Sequence, residues 1–221
     1  MSENERNSPN RERRPPLILD KVRKCKAFLI PNLSTQGQRM NTSLVVIDAQ
    51  ESFRHRDYYT DLDLPAYLTA QNQLIAGAAR QGLPIVRIFH CDGLSIASNP
   101  WSKESGYLVP IQGLAHFSAA ETFYKRKHSA LVGTGLELWL RERAIERLIV
   151  SGIRTEQCCE TTTRHASDLG FKVDYVMDAT LTFDMQLPDG SPFRAADIKA
   201  RTASVLKERF ARIATVEEAL A

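Results

Sequence analysis

The sequence lacks the features that mark several large classes of protein. No apolar run in its 221 residues approaches the roughly eighteen residues that a membrane-spanning helix needs, and its start has no apolar segment typical of a secretory signal. Its four cysteines, two of them adjacent, do not have the spacing of a disulfide framework. We therefore expect a cytoplasmic protein that does not act at a membrane.

Motifs for the common nucleotide, nucleophile and metal sites are also missing. A dinucleotide site needs G-x-G-x-x-G directly after a strand, and the segment Gly133-Thr134-Gly135 lacks the third glycine. Neither a P-loop nor a G-x-S-x-G elbow occurs. The histidines have no zinc spacing, and the consecutive residues His90-Cys91-Asp92 would not easily converge on one ion. We expect no cofactor and no metal.

The net charge of +3 is unevenly distributed. Residues 1–39 contain nine basic and four acidic residues, whereas the remainder contains twenty basic and twenty-two acidic residues. We expect residues 1–39 to form a basic N-terminal extension that is at least partly disordered, and residues 40–221 to form one domain. The domain itself is not a basic nucleic-acid binder. The sequence does not decide whether the extension contacts RNA. It also does not decide whether translation begins at Met1 or at Met40.

Apolar runs and helical periodicity alternate along the domain. Strands are predicted over 43–48, 84–90, 122–129, 148–150, 173–177 and 211–215, and helices over 64–81, 134–143, 155–170 and 192–210. Thr134 and Glu137 have the spacing of a capping box. This alternation predicts a doubly wound α/β domain with parallel strands. Residues 91–120 are predicted to be irregular, and long loops inside compact domains are usually functional.

The strand–helix–strand unit over residues 147–178 places two cysteines in the first turn of a helix. Thr155 is the predicted N-cap, which makes Cys158 the third helical residue. Free N–H groups and the helix dipole would favour a thiolate there and could hold an oxyanion. Ligands usually bind at the carboxyl end of parallel strands. The alternative is that Cys158 and Cys159 are small core residues.

Two further residues suit nucleophilic catalysis with that cysteine. Asp48 ends a strand and could accept the thiol proton, although an aspartate there could also be a turn residue. A lysine lies between them in sequence, and the predicted strand over 122–129 would place two, Lys125 and Lys127, on the same side of the pleat. An ammonium group there would balance the carboxylate and lower the thiol pKa. The loops that follow the strands provide substrate-binding candidates, which could equally be packing residues: Gln50, Phe53, Trp101 and Tyr107.

Three separated motifs resemble the isochorismatase-like cysteine hydrolases. They are LVVIDAQESF at 44–53, K-x-x-x-S-A followed by G-T-x-L at 125–136, and VSGIRTEQCCETTTRHASDLGF at 150–171. The resemblance implies a three-layer α/β/α sandwich around a central, mainly parallel, Rossmann-like sheet, assembled as a homo-oligomer, either a dimer or a tetramer. It also implies a catalytic triad of Asp48, Lys125 and Cys158.

The mechanism that this resemblance implies runs through a thioester. Asp48 accepts the proton of Cys158, Lys125 stabilises the thiolate, and the thiolate attacks the carbonyl carbon of a small molecule. The backbone N–H groups of Arg154 and Cys158 form the oxyanion hole, with a cis peptide bond expected between Ile153 and Arg154. The Arg154 side chain is a further substrate-binding candidate, suited to an anionic group.

Departures from the family pattern narrow the expected reaction. Nicotinamidases of this family bind a metal through Asp-x-His and a further histidine, but His90-Cys91-Asp92 stands at that place. Relatives that cleave the vinyl ether of isochorismate generally lack the nucleophilic cysteine. We therefore expect hydrolysis of a C–N bond in a small amide, carbamoyl or ureido compound. The alternative is a non-catalytic family member that binds small molecules or acts as a scaffold.

Overall fold

The computed structural model describes residues 41–221 of the chain, and every structural statement below concerns that part. Our expectations for residues 1–39 lie outside the described residues. None of the helices in residues 41–221 is both long and apolar enough to cross a membrane.

Six parallel strands form the central sheet, in the spatial order β3-β2-β1-β4-β5-β8. Their bounds are β1 Thr42–Ile47, β2 Ile85–His90, β3 Glu121–Lys125, β4 Arg147–Ile153, β5 Lys172–Leu181 and β8 Arg212–Ala214. A separate antiparallel pair consists of β6 Met185–Gln186 and β7 Pro192–Phe193. All six strands predicted from the sequence are present, and the edge strand near residue 213 is among them.

Helices cover both faces of the sheet, which confirms the expected α/β/α sandwich. Their bounds are α1 Leu64–Arg80, α2 Leu136–Glu142, α3 Glu160–Asp168, α4 Ala195–Leu206 and α5 Val216–Leu220. Successive residues of β1 face opposite sides, as the pleat requires. Val45 and Ile47 pack in the core with α2 and α3, whereas Leu44 and Val46 pack in the core with α1 and α5.

The strand order creates a topological switch point beside β1. Its neighbours are β2 on one side and β4 on the other. The chain continues from β1 to β2 on one side and from β4 to β5 on the other, so it leaves the two central strands in opposite directions. A crevice opens at the carboxyl ends of two such strands, where ligands of α/β proteins bind. Asp48 follows β1 directly, and the segment with Cys158 follows β4.

The structure corrects the predicted third strand and the helix after it. Strand β3 ends at Lys125, so Lys127 does not continue the same pleat, as the sequence had suggested. The predicted capping box of α2 is also wrong, because Gly135, with φ of 80°, precedes the helix. The Thr134 hydroxyl donates to the Ala130 carbonyl oxygen at 2.6 Å instead, and the Glu137 carboxylate lies 3.5 Å from Arg141.

Two later boundaries also differ. Strand β5 was predicted over 173–177 but extends to Leu181. Its pairing with β4 continues past a register shift between Val150 and Gly152. The predicted helix over 192–210 is shorter, because Pro192 and Phe193 pair as a strand and the helix begins only at Ala195. The sequence analysis did not predict α5.

Gly152 allows β1 and β4 to approach closely beside the switch point. It pairs with Ile47 in the sheet and has φ of 128°, a conformation that L-residues rarely adopt. A Cβ atom at this position would overlap the backbone carbonyl of Ile47. Because Asp48 follows Ile47 directly, a side chain at position 152 would displace the carboxylate.

We expect Gly152→Ala to lower the free energy of unfolding by at least about 1–3 kcal/mol more than a matched control, since the added methyl group meets fixed backbone. Gly190→Ala is the control, because Gly190 also has a positive φ of 84° but open space around its Cβ position. Urea unfolding monitored by circular dichroism measures both variants. Equal losses in the two proteins would contradict the close approach.

Candidate active site

The ammonium group of Lys125 connects three side chains at the carboxyl edge of the sheet. Its Nζ atom lies 2.7 Å from Asp48 Oδ2, 3.2 Å from Cys158 Sγ and 3.1 Å from His90 Nδ1. Lysine has three N–H donors, so each donor has one acceptor within reach. The structure thus brings together the three residues that the sequence analysis selected for catalysis, and it adds His90.

Each of these residues is placed by the end of a strand. Asp48 follows β1 and is completely buried, with φ of 50°. Lys125 is the last residue of β3, and His90 is the last residue of β2 and pairs with Lys125 in the sheet. Cys158 lies in the turn after β4 and is 7% exposed. Parallel strands therefore deliver four polar side chains to one point.

The turn that carries Cys158 is a π-helix over Thr155–Cys159. The N–H groups of Gln157 and Cys159 both donate to the Arg154 carbonyl oxygen, at 3.3 and 3.2 Å. Single π-helical turns are rare and frequently lie at functional sites. Helix α3 continues from Glu160, so the predicted helix is present but its first turn is widened.

Thr155 does not cap this helix, contrary to our prediction. Arg154 occupies the N-cap position and makes no side-chain capping bond. The Thr155 hydroxyl donates to Thr180 Oγ1 at 2.9 Å, and the Thr155 carbonyl oxygen accepts from the Tyr175 hydroxyl at 2.7 Å. Because Thr155 is hydrogen-bonded to two residues of β5, the Thr155 hydroxyl does not reach the N–H groups of the turn.

The two adjacent cysteines face different surroundings. Cys158 borders the apolar core and also lines a cavity at the carboxyl edge of the sheet. Cys159 is completely buried in the apolar core and does not line this cavity, and Thr162, Thr163 and Ala166 of α3 are also buried. Consecutive helical residues point about 100° apart, which explains why one thiol reaches the cavity and the other packs.

The pKa of Cys158 is higher than the sequence analysis had suggested. A position near the start of a helix was expected to favour the thiolate. Instead, burial and the Asp48 carboxylate together raise the pKa of the thiol to about 12, against the opposing effect of Lys125. Desolvation disfavours the charged form of a buried thiol. At neutral pH Cys158 is therefore a thiol, and a nucleophilic role for it would require a base.

The Asp48 carboxylate is suited to be that base. Burial raises the pKa of Asp48, and the Lys125 ammonium opposes this rise. Burial opposes the charge of Lys125 as well, but Asp48 and Cys158 outweigh it and hold the lysine pKa above its usual value. The resting site therefore combines a buried carboxylate of increased basicity with a stable cation.

His90 completes the surroundings of the ammonium group as a neutral acceptor. Burial, together with the nearby Lys125 charge, lowers the pKa of His90 to about 4. Gln50 holds the end of β2 in place, because its amide accepts from the His90 N–H at 2.7 Å and donates to the His90 carbonyl oxygen at 3.0 Å. Gln50 is fully buried and thus positions His90 without lining the cavity.

A small cavity of about 180 Å³ opens in front of Cys158. Its wall contains Asp48, Phe53, Tyr58, His90, Trp101, His128, Arg154, Gln157 and Cys158. Of the predicted substrate-binding residues, Phe53, Trp101 and Arg154 line it. Gln50 lies behind His90, and Tyr107 stacks on His55 with ring centroids 3.6 Å apart, so neither belongs to this wall.

Sequence reasoning missed four residues of the cavity wall, namely Tyr58, His90, His128 and Gln157. His90 could have been identified from its place at the end of a parallel strand. His128, whose Nδ1 atom lies 3.9 Å from Cys158 Sγ, belongs to the K-x-x-x-S-A motif but stands at one of its unspecified positions. Tyr58 lies in a loop without any local signal.

The K-x-x-x-S-A motif fixes the segment after β3 against α3. The Ser129 hydroxyl lies 2.9 Å from His165 Nδ1, and the Ala130 N–H donates to Thr162 Oγ1 at 2.9 Å. These contacts join the segment that follows Lys125 to the helix that follows Cys158. The motif therefore holds Lys125 and Cys158 in fixed positions relative to each other.

The peptide bond between Ile153 and Arg154 is cis, which confirms that prediction. The proposed oxyanion hole, formed by the backbone N–H groups of Arg154 and Cys158, stays a prediction.

Comparison with known proteins identifies the class to which this fold and site belong. The isochorismatase domain family matches residues 42–217, which is most of the chain. The protein therefore belongs to the isochorismatase family, as the motifs had indicated.

The curated relatives match over shorter segments. YrdC of Bacillus subtilis strain 168, described as an uncharacterized isochorismatase family protein, is 33% identical over 94 residues, which cover 42% of this chain and 50% of that protein. Nicotinamidase 3 of Arabidopsis thaliana is 38% identical over 71 residues, which cover 32% of this chain and 36% of the relative.

Solved structures match over most of the chain. An isochorismatase from Pseudomonas putida KT2440 is 27% identical, with a TM-score of 0.70, and the match covers 80% of this chain and 89% of that one. A cysteine hydrolase from Pseudomonas syringae pv. phaseolicola 1448A is 21% identical, with a TM-score of 0.72 over 83% of this chain and 96% of that one. The latter likeness concerns the fold alone.

The electrostatics of the site predict an unusual response to Asp48→Asn. Because the Asp48 carboxylate raises the pKa of Cys158, its removal should lower the thiol pKa and increase the thiolate fraction at a given pH, while turnover falls for lack of a base. Thiolate absorbance near 240 nm, titrated against pH with Cys158→Ala as the blank, measures this pKa. An increase in the thiol pKa would contradict the assigned arrangement of charges.

Proposed function

We propose that this protein is a cysteine hydrolase that cleaves the C–N bond of a small amide, carbamoyl or ureido compound. The single observation that carries the proposal is the position of the Lys125 ammonium group, 2.7 Å from the Asp48 carboxylate and 3.2 Å from the Cys158 sulfur. A base, a cation and a nucleophile in mutual contact next to a cavity form the arrangement that covalent catalysis requires.

In the first half-reaction, Asp48 accepts the thiol proton as the Cys158 sulfur attacks the carbonyl carbon of the substrate. Lys125 stabilises the negative charge that develops on sulfur. The tetrahedral oxyanion accepts hydrogen bonds from the backbone N–H groups of Arg154 and Cys158. When the C–N bond breaks, the departing nitrogen takes the proton held by Asp48, and a thioester of Cys158 remains.

In the second half-reaction, water replaces the amine that has left. Asp48, again a carboxylate, accepts a proton from this water as its oxygen attacks the thioester carbon. The C–S bond then breaks, and the cysteine sulfur regains the proton from Asp48. Asp48 acts first as base and then as acid in each half, and a carboxyl group whose pKa is raised by burial suits both tasks.

The size of the cavity supports a small substrate, and the names of two relatives support cleavage of a C–N bond. A cavity of about 180 Å³ is smaller than the roughly 300–1,000 Å³ typical of sites for drug-sized ligands. Two of the curated relatives, from Arabidopsis thaliana and Escherichia coli strain K12, are named nicotinamidases, and that name denotes hydrolysis of an amide.

An ammonia-release screen of small amides and ureido acids tests this function. The wild-type protein should release ammonia from at least one compound, and Cys158→Ala should lower kcat more than about a thousandfold, as loss of a nucleophile does in other covalent hydrolases. Cys159→Ala is the matched control. It removes the neighbouring thiol from the core and should retain kcat at a temperature where the fold persists.

Two outcomes would contradict the proposal. Ammonia release that survives in Cys158→Ala would show that another group attacks the substrate. Compounds that raise the thermal stability of the wild-type protein without being turned over would instead favour a non-catalytic, ligand-binding member of the family.

A further inference from the structure

Two histidines line the cavity in front of Cys158, and they differ in how far their ring nitrogens are already used. His90 Nδ1 lies 3.1 Å from Lys125 Nζ. Because an ammonium group has only donors, this nitrogen accepts, and the proton of the neutral ring is on Nε2, which lies 4.0 Å from Asp92 Oδ2. Both ring nitrogens of His90 therefore face a partner.

The ring of His128 has no such commitment. Its Nδ1 atom lies 3.9 Å from Cys158 Sγ, at the outer limit of a hydrogen bond to sulfur, and the ring makes no other hydrogen bond or ion pair within residues 41–221. His128 is also exposed, whereas Cys158 is buried. One side chain thus lies next to the proposed nucleophile and also reaches solvent.

The backbone on both sides of His128 is held in place although the residue is exposed. Lys125, three residues earlier, is the last residue of β3. Ser129, the next residue, is buried, and its hydroxyl lies 2.9 Å from His165 Nδ1 of α3. The ring of His128 is therefore carried by a short segment that is anchored at each end, beside the cavity.

The charge of His128 affects groups across the cavity. Burial has the largest effect on the pKa of both Asp48 and His90, and a positive charge on His128 lowers both pKa values. Such an effect requires that the charges be close, so Asp48 and His128 face the same small space. Its volume of about 180 Å³ equals about six water molecules at their share of liquid volume, which admits a small acyl group together with a water.

Hydrolysis of a thioester requires a water molecule that is held in position as well as a base. The attacking water has two protons, and in the proposed second half-reaction Asp48 accepts one of them. An enclosed water usually makes two to four hydrogen bonds, so its other proton needs an acceptor. Among the ring nitrogens of the described cavity wall, His128 Nδ1 is the one that lies beside the sulfur without another partner.

We propose that His128 holds the water that hydrolyses the thioester. This inference rests on the proposed function. Once the amine has left, a water molecule donates one hydrogen bond to the Asp48 carboxylate and the other to His128 Nδ1, which aims its oxygen at the carbon bonded to Cys158 Sγ. As the new C–O bond forms, the first proton passes to Asp48, and the ring of His128 neither gains nor loses a proton.

4-Nitrophenyl acetate tests this role, because it places a small acyl group on a reactive cysteine whatever the natural substrate is. Nitrophenolate absorbance gives the turnover rate, and intact-protein mass spectrometry after an acid quench, with peptide mapping, gives the fraction acetylated on Cys158. Turnover divided by this fraction is the rate constant for hydrolysis of the thioester, whichever half-reaction is slower. Cys158→Ala is the blank for both measurements.

We expect His128→Leu to lower the rate constant for hydrolysis by about two- to tenfold, the effect of one lost hydrogen bond, and to raise the acetylated fraction. The rate constant for acetylation should stay within about twofold of wild type. His128→Asn should recover part of the loss, because its amide oxygen is an acceptor near the position of Nδ1. Arg126→Gln, an exposed change outside the cavity wall, is the control and should change neither rate constant.

The outcomes separate this inference from the proposed function. An unchanged rate constant for hydrolysis in His128→Leu, or equal losses in both rate constants, would overturn the role of His128, while Cys158 could still be the nucleophile. Hydrolysis as slow in His128→Asn as in His128→Leu would overturn it as well. Wild-type turnover that leaves no acetyl group on Cys158 and persists in Cys158→Ala would instead contradict the covalent mechanism of the proposed function.

Discussion

The ammonium group of Lys125 is the constraint on which the site depends. A buried cation is costly unless it is paired and hydrogen-bonded. Here the Asp48 carboxylate forms an ion pair with Lys125, and His90 Nδ1 and Cys158 Sγ accept its hydrogen bonds. Asp48 and Cys158 follow β1 and β4, whereas His90 and Lys125 are the last residues of β2 and β3. One cation therefore fixes the relative positions of four strand ends. The same contacts hold the proposed base, Asp48, and the proposed nucleophile, Cys158, next to a single cation.

Much of the fold could be predicted because its signals are local. The apolar runs of β1 and β4 are typical of strands buried on both faces, and the alternation with amphipathic helices defines a parallel sheet. Asp48 and Cys158 could be selected because each follows such a strand, where polar residues of an α/β domain reach the ligand edge. Lys125 has no comparable local signal, since β3 lies at the sheet edge and its apolar pattern is weak. Its role was predicted only through the family motif.

Other features depend on contacts between distant parts of the chain and could not be predicted. Thr155 has the chemistry of a helix cap, but Tyr175 and Thr180 of β5 bind it laterally, so tertiary contacts override the local preference. The raised pKa of Cys158 depends on burial, which a position in sequence does not reveal. Tyr58 reaches the cavity from a loop, and its place beside Arg154 follows from packing against Phe183.

The central claim, that Cys158 forms a covalent intermediate with a carbonyl substrate, is tested most directly by intact-protein mass spectrometry. The protein is mixed with a compound that it hydrolyses and quenched in acid within milliseconds, and peptide mapping then locates any added mass. Our account predicts an adduct equal to the acyl part of the compound on Cys158, formed as the amine is released and absent from Cys158→Ala. Turnover without any adduct, or an adduct on a different residue, would contradict it.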